Sequence, residues 1–69
     1  MKVLRQEREA RGWSRAALAR DSRLNESVYS LIERGRYTPY PVQLERIAQA
    51  LAWSEDPEQL LKEVDGESS

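Results

Sequence analysis

Apolar residues recur along this chain at helical spacing and nowhere alternate at the period of two that a strand requires. The clearest run is Leu44, Ile47, Ala48 and Leu51, an unbroken i, i+3, i+4, i+7 face. It predicts a helix over residues 41–52, with Pro41 at its first position. A first helix is predicted over residues 2–11 and stopped by Gly12. Its apolar face, Val3, Leu4 and Ala10, is thin, so arginine stems must cover part of the core. Ser14 is a natural N-cap for a second helix over 15–20, rich in alanine, and Asp21-Ser22-Arg23 forms the turn after it. Asn25 caps a third helix over 26–34, where Leu24 and Tyr29 have the spacing of a hydrophobic staple. On that helix Tyr29 and Ile32 share one face, while Ser27, Ser30, Leu31 and Arg34 fall opposite, with Glu26 and Val28 at the edges. Gly35 ends it, and residues 36–41 form a stiff loop containing Pro39 and Pro41. Asp56, Pro57 and Gln59 read as the start of a short fifth helix reaching Val64. The expectation is an all-α, compact five-helix domain over residues 1–65, with a frayed tail at 66–69.

Charge divides the chain. Residues 1–36 hold nine Lys/Arg against five acids, whereas residues 37–69 hold two against seven, giving a net charge of −1. The split suggests a nucleic-acid face in the first half and a different role for the second. Cysteine and histidine are absent. That removes disulfides, the common zinc sites and catalysis by thiolate or imidazole. No nucleophile–base set and no phosphate-binding glycine loop is present, so neither an enzyme nor a cofactor is expected. No apolar run approaches a membrane span, and the opening residues lack a signal-peptide core. A reducing, cytoplasmic, bacterial or phage setting is expected.

Two short helices joined by a tight turn, the second with a polar outer face, form a helix-turn-helix over about residues 14–34. Specificity comes from the run Leu4-Arg5, Arg8, Gly12-Trp13-Ser14, Leu18-Ala19, Ile32-Glu33-Arg34-Gly35-Arg36, Pro39, Leu44, Ile47-Ala48 and Leu51. Over residues 4–53 it closely resembles the lambda-repressor-like family of phage repressors, Cro proteins and xenobiotic-response-element regulators.

The resemblance implies roles. Arg8 and Glu33 match the family's ion pair between first and third helices, and Glu33 lies beside a core face where a carboxylate needs a partner. Ser14 and Arg15 match the start of the helix that crosses the DNA backbone and meets a phosphate. The family most often has Gln where Arg15 stands. Asn25, Glu26, Ser27, Val28, Ser30 and Leu31 occupy the base-reading surface of the recognition helix. There Glu26 can accept from cytosine N4, Ser27 can serve donor or acceptor edges, and Val28 can meet a thymine methyl. Arg34, Arg36, Tyr37 and Thr38 lie in the loop that touches phosphates in relatives. The sequence departs from the family where Glu7 replaces an apolar residue and where Ser22-Arg23 replaces apolar-Gly in the turn.

Trp53, Leu60, Leu61 and Val64 add more apolar surface than so short a chain readily hides, and relatives often dimerise through this region. The function these features imply is a sequence-specific DNA-binding transcriptional regulator, a repressor, acting on double-stranded DNA as a homodimer. The alternative is an antitoxin or adaptor of the same fold whose acidic second half engages another protein.

Overall fold

Hydrogen bonds account for where each helix starts and stops. The computed structural model describes residues 1–64 and contains α1 (Val3–Ala10), α2 (Arg15–Asp21), α3 (Glu26–Glu33) and α4 (Pro41–Ala50), followed by a 3-10 helix at Pro57–Leu61. The tail expected at 66–69, and Asp65 at the end of the expected domain, lie outside the described residues. Ser14 Oγ accepts from the Ala17 amide at 3.1 Å, and Asn25 Oδ1 accepts from the Ser27 amide at 2.7 Å. Each satisfies one of the free donors at a helix start. At α4 the Gln43 side chain does this from within the helix, accepting from the Tyr40 amide at 2.8 Å.

All four α-helices stop in the same way. In each, two amides beyond the C-cap return to carbonyls of the last turn, as in Gly35 N–H to Ile32 O at 3.1 Å and Arg36 N–H to Leu31 O at 2.9 Å. This is the Schellman arrangement, and it puts the residue after the C-cap in the left-handed region. Gly12 and Gly35 occupy that position without strain, but Arg23 (φ 60°) and Ala52 (φ 56°) hold it after α2 and α4. Helix α4 therefore stops at Ala50, because Trp53 N–H bonds back to Ala48 O at 2.8 Å.

The core gathers one face from each element: Leu4 of α1, Leu18 and Ala19 of α2, Tyr29 and Ile32 of α3, and Leu44, Ile47 and Ala48 of α4, closed by Leu51 and Leu60. Helix α2 packs on α3 and α4, while the 3-10 helix packs on α1 and α4. The thin face of α1 is completed by a polar clasp. Glu7 pairs with Arg11 at 2.8 Å, and Arg11 Nη2 donates to Leu51 O at 2.8 Å, an otherwise free carbonyl at the end of α4. The Arg11 guanidinium also lies 5.7 Å from the centre of the Trp13 ring. Ser22, fully buried in the turn, is satisfied by donating its hydroxyl to Leu18 O at 2.7 Å.

Two expectations for the C-terminal segment need correction. The fifth element is a five-residue 3-10 helix, not an α-helix reaching Val64. Asp56 does cap it, accepting from the Glu58 amide at 3.0 Å, but the backbone bonds run from i+3, as in Gln59 N–H to Asp56 O. After Leu61 the chain turns extended, and Lys2 and Glu63 form an isolated antiparallel bridge. Val3 N–H donates to Lys62 O at 2.8 Å and Val64 N–H to Met1 O at 2.7 Å. Those partners lie some sixty residues away in sequence, and they draw the segment out of the helix. Leu60, expected at a dimer contact, is wholly buried in the core. Trp53 and Leu61 are half-buried against the same core, and Val64 is half-buried with its amide engaged by Met1.

Candidate nucleic-acid interface

Helix α3 is built to present one face and anchor the other. Its inner face carries Tyr29, Ile32 and Glu33, all buried. Glu33 is held by two elements at once. Arg8 Nε donates to Glu33 Oε2 at 2.7 Å and Arg8 Nη2 to Oε1 at 3.3 Å, while the Tyr29 hydroxyl also donates to Oε2. Arg8 Nη1 donates to Trp13 O at 2.7 Å, which ties the loop before α2 into the same network. Burial, and then the bond to Glu33, push the Tyr29 phenol far above its ordinary value, so it stays a protonated donor. The side chain of Glu33 raises the Arg8 guanidinium in turn. The network fixes α3 against α1.

The outer face of α3 is open. Glu26, Ser27 and Leu31 are exposed, Leu31 at 37 %, and Ser30 is half-buried. Val28 packs against the core at the edge of this face and is half-buried. Asn25 spends its side-chain oxygen on the cap and keeps only its amide nitrogen as a donor. Glu26, at the first position of α3, pairs with no cation among the described residues and sits where the helix dipole favours a negative charge.

The arginines of the first 36 residues fall into two groups. Arg5, Arg8 and Arg11 on or after α1 each pair with a carboxylate. Arg15, Arg20, Arg23, Arg34 and Arg36 are exposed, and none has a carboxylate within 4.0 Å among the described residues. All five fall within the helix-turn-helix and the loop that follows it. Arg20 was not among the phosphate candidates read from the sequence; its signal was an unpaired cation on the polar side of α2. Ser14 is exposed, and its hydroxyl can still donate while its oxygen caps α2. In the loop, Thr38 is exposed, but the half-buried Tyr37 gives its hydroxyl hydrogen to Gln43 Oε1 at 3.1 Å. Tyr37 therefore shapes the loop more than it offers a donor.

Helix α2 packed on α3 through a short turn, with an outward polar face on α3 held by a buried ion pair, is the arrangement of a helix-turn-helix protein. A family model described as a helix-turn-helix domain matches residues 2–61, and the chain belongs to that family. The match is consistent with the lambda-repressor-like class. No curated protein and no solved structure gives a significant match.

Proposed function

We propose that this chain is a sequence-specific DNA-binding transcriptional regulator that represses by occupying its operator, with α3 in the major groove. The observation that carries the reading is a set of exposed, unpaired arginines, Arg15, Arg20, Arg34 and Arg36, on the helix-turn-helix and the loop after it. Arginines left without carboxylate partners are available to phosphates, and phosphate contacts supply the bulk of affinity. In this reading Ser14, Arg15 and Arg20 meet one strand's backbone, and Arg34, Arg36 and Thr38 meet the other side of the groove. Ser27, Ser30, Glu26 and Leu31 face base edges. Leu31, the exposed large apolar side chain of α3, joins the half-buried Val28 as the apolar surface for a thymine methyl. Two copies act on a short inverted repeat, and the protein works in the cytoplasm. No helix among the described residues is long and apolar enough to cross a membrane.

The test is fluorescence anisotropy on duplexes selected from a random pool, followed by a salt titration. Affinity should fall with a log–log slope of about −0.9 per phosphate neutralised, and Arg36→Ala should make that slope shallower by about one contact. Absence of binding to any selected duplex at low salt would end this reading. The alternative, an adaptor that binds a protein through its acidic half, draws on exposed Glu55, Asp56 and Glu58 beside the 3-10 helix. It gains if DNA affinity is unchanged in Ser27→Ala with Leu31→Ala while a stoichiometric protein partner co-purifies.

A further inference from the structure

Of the side chains expected at a dimer contact, Leu60 is buried, and Trp53, Leu61 and Val64 are each less exposed than the apolar side chains at the start of α4. Tyr40 and Val42, at the start of α4, are the most exposed large apolar side chains of the described residues, at 68 % and 52 %. Val42 opens into a surface groove of about 460 Å³ between the turn after α2 and the outer face of α4. Asp21 and Arg23 line one wall, Glu45 and Arg46 the other, and Val42 and Ala50 add apolar surface.

The charges in this groove are informative because they are balanced and unused. Two carboxylates and two guanidiniums face one groove, yet no pair of them comes within 4.0 Å, and none pairs elsewhere among the described residues. A phosphate backbone would be repelled by Asp21 and Glu45. A strongly acidic or basic partner would set like charges against half of the patch. A two-fold contact differs, because residue i of one copy meets residue j of the other, and an axis that sets the acids of one copy against the arginines of the other lets a balanced patch complement itself. Arg23 adds a second observation. It holds a left-handed backbone conformation that glycine adopts freely, and its side chain lines this groove.

We propose that the α2–α4 groove, with the exposed Val42 in its lining, is where two copies of this chain associate, Arg23 and Arg46 of each copy meeting Asp21 and Glu45 of the other. The inference places the homodimer of the proposed regulator on a particular surface, but its test uses no DNA, so the two readings fail separately. Sedimentation equilibrium of the full chain at low salt, from about 1 μM to about 1 mM, should show a reversible monomer–dimer equilibrium. An all-acidic variant (Arg23→Glu with Arg46→Glu) and an all-basic variant (Asp21→Lys with Glu45→Lys) should each associate at least tenfold more weakly. Mixing the two in equal amounts should restore association to within a few-fold of the parent. A parent that stays monomeric throughout would overturn the proposal, and so would variants that dimerise unchanged or a mixture that fails to recover. If the charge variants do not fold, Val42→Asp provides the decision: a tenfold loss supports the surface, and unchanged association overturns it.

Discussion

Arg8, Glu33 and Tyr29 act as one residue-scale unit, and their energetics follow from burial. The Glu33 side chain is 3 % exposed and the Arg8 side chain 9 %. Desolvating two such charges is costly, and the mutual attraction offsets that cost only while every partner is present. Arg8→Ala would leave a buried carboxylate with only the Tyr29 hydroxyl. That should lower the unfolding free energy by about 3–5 kcal/mol, against a total of roughly 3–10 kcal/mol for a domain of this size. Arg8→Ala is therefore expected to be largely unfolded at 37 °C. Tyr29→Phe removes one donor and leaves both arginine bonds in place, so a loss of about 1–3 kcal/mol is expected. Urea unfolding measures both. The double replacement Arg8→Met with Glu33→Leu should cost well below the sum of the two single replacements, since neither charge is then stranded. An additive result would mean the pair is not coupled.

At the scale of whole elements, the helix ends set the fold, and two of them are strained. The left-handed region costs an L-residue about 1–2 kcal/mol, and Ala52 and Arg23 both hold it. Glycine at these positions loses more entropy on folding, which takes back part of the gain. Ala52→Gly is thus expected to stabilise the fold by about 0.5–1 kcal/mol and to raise Tm by roughly 2–8 °C. Arg23→Gly should stabilise similarly while removing a cation from the α2–α4 groove, so stability and self-association should move in opposite directions. Calorimetry beside sedimentation separates the two. A fall in Tm for Ala52→Gly would show that the end of α4 is not under strain. The same elements show which features could be read from the sequence. The caps Ser14 and Asn25, the stop at Gly35 and the Leu44–Ile47–Ala48–Leu51 face are local patterns, and local patterns decided those helices. The fifth element was not legible as built, because its capping residues are local whereas its end is drawn out by Met1 and Val3. The outer face of α3 was half legible. A helical wheel sets Val28 at the edge, and only the position of the core shows it partly covered while Leu31 remains exposed.

For the molecule as a whole, the pairing of its two ends ties the helix-turn-helix to the rest of the fold. Lys2 donates its ammonium to Leu61 O at 3.0 Å and to Glu63 Oε2 at 3.3 Å. Its stem lies beside Gly35, so that a Cβ placed there would meet Lys2 Cε at 3.5 Å. One side chain thereby bonds the C-terminal segment and runs close to Gly35, just past the end of α3. The hydrogen bond from Lys2, assisted by the Met1 amino group, holds the Glu63 carboxyl below its ordinary value. A carboxyl with a depressed folded-state pKa binds protons less readily when folded than when unfolded. Its stabilising effect is therefore complete above the unfolded value, about 4.3 for glutamate, and is lost as pH falls through the lower folded value. Glu63 is exposed, so salt and solvent reduce the effect, and a modest Tm difference is expected. Glu63→Gln should melt below the parent at pH 7, and the gap should narrow below about pH 4 and close as the folded-state carboxyl takes up its proton. Raising the salt at pH 7 should shrink it as well. A gap that persists unchanged at pH 3 would mean that the glutamate contributes through packing or backbone pairing. The Lys2 ammonium would then be tied to the C-terminal segment by its bond to the Leu61 carbonyl and not by its charge pairing with Glu63.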